Sequence, residues 1–283
     1  MKIFITGIAG FIGYSLAEYL IKNGYEVNGY DIYTDYYDVQ LKKNRFSKIE
    51  KNLTDFKISE ADIIVHLAAQ AGVLYSKINP FAYIDNNITC FLHILEMCKE
   101  TKIPLLYATS STALDLKSVY GITKKCDEDL AKLYSKNYDM KILGVRFYTV
   151  YGPWGRPDMA MWKWTEAILK KEPISIRGKD TSRNFTYIND LTKHVTKIIN
   201  TFLSSNIYED SPIIGIANMN SRFLDEVVDI IEQNTNIKAI REYTNLFPEE
   251  IQRQVSEVSF EAHTDIEIGV PEFVKWYKEY FNI

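Results

Sequence analysis

A glycine triplet near the start of the chain most constrains what it can fold into. "KIFIT" (2–6) reads as a buried strand. "ITGIAGFIG" then sets Gly7, Gly10 and Gly13 in G-x-x-G-x-x-G spacing ahead of a helical pattern near 12–23. Glycines between a strand and a helix permit a tight turn and let backbone N–H groups approach a pyrophosphate closely. Asp31 ends the next apolar segment, "EVNGYD" (26–31), 18 residues after Gly13. A carboxylate at that place accepts hydrogen bonds from a ribose 2′-OH and repels a 2′-phosphate. Ile32 follows it with no adjacent arginine, so the expected cofactor is NAD rather than NADP.

The same alternation continues. "ADIIVHLAA" (61–69), "IPLLYAT" (103–109) and "KILGVRF" (141–147) read as strands, with helices near 80–99 and 120–137 between them. Alternating strands and helices predict an α/β fold, a Rossmann-type doubly wound parallel sheet over residues 1–150, with ligands at the carboxyl ends of the strands. Beyond 150 the pattern is irregular. The turn-rich "YGPWGRPD" is followed by helices near 159–171, 189–203, 221–234 and 270–281. This predicts a smaller substrate-binding lobe over 151–283, some of whose segments return to the Rossmann core.

Composition removes several alternatives. A net charge of −4 gives no basic surface for nucleic acid. No apolar run approaches ~18 residues and no signal peptide is recognised, so the expectation is a soluble cytoplasmic protein without a membrane partner. Cys90, Cys98 and Cys126 form no C-x-x-C pair and are odd in number, as reduced, buried thiols would be. His66, His93, His194 and His263 have no metal-ligand spacing, so no metal is expected.

"SVYGITKK" (118–125) holds Tyr120 and Lys124 four apart, one turn from each other on a helix face. A tyrosine with a free pKa of about 10 is too weakly acidic to serve as a base near neutrality. A neighbouring ammonium favours the phenolate. Such a pair is common by chance. The glycine loop, and the serine cluster upstream in "YATSST" (107–112), give it chemical weight.

The glycine spacing and the Tyr120-x-x-x-Lys124 pair together resemble the short-chain dehydrogenase/reductase family, in its extended branch. The resemblance implies that Ser110 completes a catalytic triad with Tyr120 and Lys124, and that Ser111 and Thr112 touch substrate. It also implies cofactor contacts from Gly7, Gly10, Phe11, Ile12, Gly13, Asp31, Asn52, Leu53, Leu67, Ala68, Ala69, Asn87, Tyr120 and Lys124. "HLAAQAGV" (66–73) and "YIDNNITCFLHILE" (83–96) are similar to family stretches that line the cofactor.

Further segments resemble the UDP-glucuronate 4-epimerase branch, above all "RFYTVYGPWGRPDMA" (146–160), with "DIYTDYYDVQLKKNRF" (31–46), "RNFTYINDL" (183–191) and "FVKWYKEYF" (273–281). The likeness implies a UDP-sugar substrate, with Thr149 facing the sugar, Arg156 at the substrate end and Arg183 on a phosphate. The implied reaction has Tyr120 take the C4 hydroxyl proton while hydride passes to NAD⁺. The 4-keto sugar then turns over, and hydride returns to its other face. A sibling dehydrogenase, decarboxylase or dehydratase stays open as an alternative, as does a non-catalytic NAD-binding protein. Ser111 and Thr112 stand where a dehydratase carries an Asp–Glu pair.

The chain also departs from that branch. Leu74, in "AGVLYS", replaces an arginine. Asn52 stands where a carboxylate commonly contacts adenine. The stretch between "TSST" and "SVYG" is about twenty residues shorter. "FPEEIQRQ" (247–254) occupies a region where a phosphate-binding motif is not recognisable. Helices 83–99 and 120–137 carry Phe91, Leu92, Ile94, Leu95, Met97, Leu130, Ala131, Leu133 and Tyr134 on more than one face, which predicts a homodimer.

Overall fold

The computed structural model describes residues 1–205, 211–252 and 259–283. Its strands are β1 (Lys2–Thr6), β2 (Glu26–Tyr30), β3 (Ile63–His66), β4 (Leu105–Ser110), β5 (Ile142–Phe147), β6 (Thr149–Tyr151), β7 (Pro173–Arg177), β8 (Ser182–Tyr187), β9 (Ile213–Ala217), β10 (Ser221–Phe223), β11 (Ile240–Thr244) and β12 (Phe260–Glu261). Its helices are α1 (Phe11–Lys22), α2 (Val39–Ile49), α3 (Tyr75–Ile78), α4 (Pro80–Tyr83), α5 (Cys90–Thr101), α6 (Val119–Tyr138), α7 (Ala160–Lys170), α8 (Ile188–Ser204), α9 (Leu224–Thr235) and α10 (Ile266–Phe281). A π-helical turn, Ile84–Thr89, joins α4 to α5.

Seven strands hydrogen-bond in the order β12-β9-β5-β4-β3-β1-β2. The pairs β1/β2, β1/β3, β3/β4, β4/β5 and β9/β12 are parallel. Ile63, Ile64 and Val65 are wholly buried, as befits a parallel strand covered on both faces. From β1 the chain winds to β2 on one side and then to β3 on the other. The strand order therefore reverses between β1 and β3, which opens a crevice at their carboxyl ends. This is the Rossmann-like α/β fold expected.

Residues 1–147 with 192–215 form one compact unit, and 148–191 with 216–283 form another. Most of α8 and the first half of β9 thus belong to the first unit. The second holds a three-stranded sheet in the order β10-β8-β6, a two-stranded sheet of β11 and β7, and α7, α9 and α10. Its aromatic rings cluster: Trp162 lies 5.6 Å from Trp276 and 5.2 Å from Tyr277, and Trp154 lies 5.3 Å from Trp276.

The three cysteines are free thiols, but only Cys98 is buried. Cys90 and Cys126 are half-buried, a correction to the expectation that all three are core residues. Of the 247–254 stretch, residues 253 and 254 lie outside the described residues.

Candidate active site

The glycine loop is closed by contacts that only glycine permits at two positions. Gly7 has φ +74°, and a Cβ there would lie 2.9 Å from the backbone of Ala68. A Cβ on Gly13 would lie 2.1 Å from the Gly7 carbonyl oxygen. The loop therefore presses both on itself and on the segment after β3. Leu67 N–H donates to the Thr6 carbonyl at 3.2 Å, and Ala68 N–H to the Thr6 hydroxyl at 3.3 Å. Gly7, Leu67 and Ala68 are thereby brought together at the switch point, with Ala69 next in the chain.

The first turn of α1 has no capping side chain and no carboxylate of its own. Its N–H groups form the donor set that suits a pyrophosphate, and Phe11, Ile12 and Gly13 make up that turn. Asp31 follows β2. Its carboxylate accepts from Ala9 N–H at 3.2 Å and from Tyr33 N–H at 2.8 Å, so it is fixed beside the loop. Two oxygens offer about four acceptor positions, which leaves room for ribose hydroxyls. The residues present therefore fit a dinucleotide. Asn52 is exposed and Leu53 half-buried, beside Thr54, whose N–H donates to Val27 of β2 at 2.9 Å.

Asn87, expected to contact the cofactor, is held by the protein on three sides. It is 1% exposed and lies in the π-helical turn. Its oxygen accepts from Gln70 N–H at 2.7 Å, and its amide donates to the Gln70 carbonyl at 3.1 Å and to the Thr123 hydroxyl at 2.9 Å. It ties the segment after β3 to α6.

α6 carries Tyr120 and Lys124. Ser118 caps it, its hydroxyl accepting from Gly121 N–H at 3.0 Å, so Tyr120 falls in the first turn. A Cβ on Gly121 would meet the Thr112 carbonyl at 2.4 Å. The short 3-10 turn Ser111–Ala113 can thus lie directly against the start of α6. Ser110, at the end of β4, accepts from the Thr112 hydroxyl at 3.0 Å and from Thr112 N–H at 3.3 Å. Tyr120 packs edge-on against buried Tyr83, with ring centroids 5.9 Å apart. Lys124 is 3% exposed and donates to the Ala108 carbonyl of β4 at 3.0 Å. The Ser110 and Ser111–Thr112 segment and the Tyr120–Lys124 pair are therefore assembled from three neighbouring elements of one unit.

Several groups under this site escaped the sequence reading. Lys124 also pairs with buried Asp127 at 3.1 Å. Glu128 accepts from Thr109 at 2.8 Å and from Arg146 at 2.9 Å. The His66 ring shares a 2.8 Å hydrogen bond with the Thr6 hydroxyl. Burial, helped by the charge of Lys124, holds its pKa down to about 3, so it is neutral. The signal was present for Asp127 and Glu128: "KKCDE" places carboxylates one turn beyond Lys124 on the same helix.

In the second unit, Thr149 opens β6 and is half-buried. Arg156 makes a two-pronged pair with Asp158 at 2.9 and 2.5 Å. Arg183, on β8, donates to the Ser182 and Gln252 carbonyls at 2.8 and 3.3 Å. It stands directly opposite Arg222 of β10, which pairs with Glu226 and Glu267.

Residues 3–210 match the NAD dependent epimerase/dehydratase family. The chain belongs to that family. Among its relatives in the epimerase/dehydratase family, Protein CapI of Staphylococcus aureus is 36% identical over the whole of both chains. A UDP-glucuronate 4-epimerase of Thermodesulfobacterium geofontis is 34% identical, covering 97% of this chain and 95% of its own. The CapI alignment runs over 333 positions against 283 residues here, so that relative carries segments this chain lacks. A similar structure is the UDP-glucuronic acid 4-epimerase from Bacillus cereus in complex with UDP-glucuronic acid and NAD. It is 27% identical with a TM-score of 0.90, over 99% of this chain and 100% of that one. MoeE5, solved with UDP-glucuronic acid and NAD, has a TM-score of 0.81 at 25% identity.

Proposed function

We propose that the protein is an NAD-dependent UDP-sugar 4-epimerase whose preferred substrate is UDP-glucuronate. The observation that carries the reading is the arrangement of Ser110, Tyr120 and Lys124 at the ends of β4 and the start of α6. Relatives named for UDP-glucuronate epimerisation match along nearly the whole chain and support the substrate class. When bound, NAD⁺ supplies the hydride acceptor and donor for C4 of the sugar. Gly7, Gly10, Phe11, Ile12 and Gly13 would hold its pyrophosphate, and Asp31 a ribose.

The chain's own groups move the proton. The Tyr120 phenolic oxygen takes the proton of the C4 hydroxyl and later gives it back. The Ser110 hydroxyl keeps the C4 oxygen in hydrogen-bond reach, with Ser111 and Thr112 beside it. Lys124 supplies positive charge from beneath, anchored to Ala108, and binds the nicotinamide ribose. Asn87 positions the 67–70 segment along which the cofactor lies. Thr149 contacts the sugar, Arg183 takes a phosphate, and Arg156 takes the sugar carboxylate by exchanging it for Asp158. A carboxylate on a guanidinium forms two parallel charged hydrogen bonds, which neutral sugars cannot reproduce.

Purified protein incubated with UDP-glucuronate should interconvert it with its C4 epimer, without net reduction of added NAD⁺. Net reduction, or loss of CO₂, would mean a dehydrogenase or decarboxylase instead. Leu74 favours one variation on the substrate, since an arginine is missing there. If wild type prefers UDP-glucose and Leu74→Arg swings the preference to UDP-glucuronate, the epimerase stands and the glucuronate assignment falls.

The protein is also proposed to act as a cytoplasmic homodimer. Among the described residues no helix is long and apolar enough to cross a membrane. On α5 and α6, Phe91, Ile94, Leu95 and Ala131 face the core, whereas Leu133 and Ile122 are 51% and 54% exposed. Light scattering that finds only monomer at micromolar concentration would rule the dimer out.

A further inference from the structure

We infer that Asp127 is a positioning residue for the epimerase reaction: its carboxylate pins the Lys124 ammonium under the catalytic tyrosine and tunes the pH range in which the pair works. The inference rests on the function proposed above.

Asp127 lies one turn beyond Lys124 on α6, and its Oδ2 is 3.1 Å from Lys124 Nζ. The two side chains are 2% and 4% exposed. The second oxygen, Oδ1, is buried with no hydrogen-bond partner. A carboxylate left half-satisfied in the interior is costly, and its one strong contact is the catalytic lysine. Among the described residues, Asp127 is the carboxylate recorded in an ion pair with Lys124. His66, on β3, is neutral. Glu128, the next residue on α6, is taken up by Arg146 of β5 and Thr109 of β4. Tyr107 of β4 and Cys126 of α6 face Asp127 as neutral groups whose ionisation burial opposes. With the Ala108 carbonyl, Asp127 fixes Nζ from two sides.

Two consequences follow. The first is geometric: the ammonium is held ready before cofactor or substrate arrives. The second is electrostatic. A negative charge two helical turns from Tyr120 opposes proton loss from both Tyr120 and Lys124. A kcat–pH profile reads that influence through its two limbs. Burial, partly offset by Lys124, raises the pKa of Asp127 to about 6, so the carboxylate is charged above that pH and its influence is present at neutrality.

The test is the kcat and kcat/KM pH profile for the UDP-sugar that wild type turns over, measured in wild type, Asp127→Asn and Asp127→Glu. The amide keeps the shape and loses the charge. Both limbs should then move to lower pH, by roughly half a unit to one unit for a group two helical turns from the lost charge and by more for one in direct contact with it. Asp127→Glu keeps the charge and displaces Nζ, so the limbs should stay in place while kcat falls. Limbs of Asp127→Asn that coincide with wild type overturn the inference, whatever happens to kcat. If Asp127→Asn does not fold, Asp127→Glu decides: limbs that move despite the retained charge also overturn it. If wild type converts no UDP-sugar at all, the proposed function fails instead, so the two failures are distinguishable.

Discussion

In the first unit the side chains of Lys124 and Asp127 are 4% and 2% exposed. In the second, those of Arg156 and Asp158 are both 21% exposed. Both are ion pairs within one turn of sequence, but their physics differs. A buried pair has already lost its hydration, so removing one partner strands the other charge in a medium that cannot solvate it. A part-exposed pair keeps water on one side and contributes little to stability, which leaves each partner available for exchange. The Lys124–Asp127 contact, in the unit proposed to carry the proton chemistry, is therefore a committed one. Arg156, proposed to take the sugar carboxylate, sits in a part-exposed contact that another carboxylate can replace.

The largest expected effect lies in the committed region. Tyr120→Phe removes one oxygen and leaves the ring against Tyr83. It should lower kcat by roughly 10²–10⁴-fold with NAD binding retained in a direct titration. Turnover at the wild-type rate would remove Tyr120 as the base. Next comes the exchangeable region. Arg156→Ala should lower kcat/KM for UDP-glucuronate by about 10- to 150-fold, the worth of a charged hydrogen bond of about 1.5–3 kcal/mol, while Tm barely moves. A large loss of Tm with unchanged selectivity would show that the Asp158 pair is structural and erase the contrast.

Asn87→Ala is expected to do the reverse, with a drop in stability ahead of a change in selectivity. It leaves the Gln70 N–H and carbonyl without their side-chain partner, at about 1–3 kcal/mol for each group stranded. Denaturant unfolding measures this. A smaller effect concerns Glu232 of α9. Burial pushes its pKa up, but Lys238, the Ala239 N–H and Arg241 outweigh that and hold it down to about 2. A depressed carboxylate contributes stability that is complete above its unfolded value and is lost as pH falls from there towards 2. Glu232→Gln should therefore lower Tm at neutral pH and flatten its fall over that window, so that the variant and wild type converge as pH approaches 2. An unchanged acid slope would show that this network does not limit the second unit.

Much of the fold could be read from residues alone. β1, β3, β4 and β5 are short apolar runs between helical patterns. α6 is marked by the Tyr120–Lys124 spacing inside it. These are local signals, carried by neighbours in the chain. The sequence also pointed to Gly7, Gly13 and Asp31, because a turn between a strand and a helix restricts what can stand there. It did not show what holds Asn87. The partners of a buried asparagine are not written in one dimension, and only the meeting of the π-helical turn, Gln70 and Thr123 reveals them. It also passed over Asp127, whose carboxylate resembles any helical surface charge until its burial is known.

What the sequence by itself determined is the alternation of strands and helices, the glycine loop with its acidic partner, and a tyrosine one turn from a lysine. Periodicity and backbone sterics act over a few residues, so a linear string records them. Only the tertiary structure decided which polar groups are stripped of water. Desolvation depends on what packs over a group from β3, β4 and β5, dozens of residues away. That burial is what separates Lys124 and Asp127, locked together, from Arg156 and Asp158, which water still reaches.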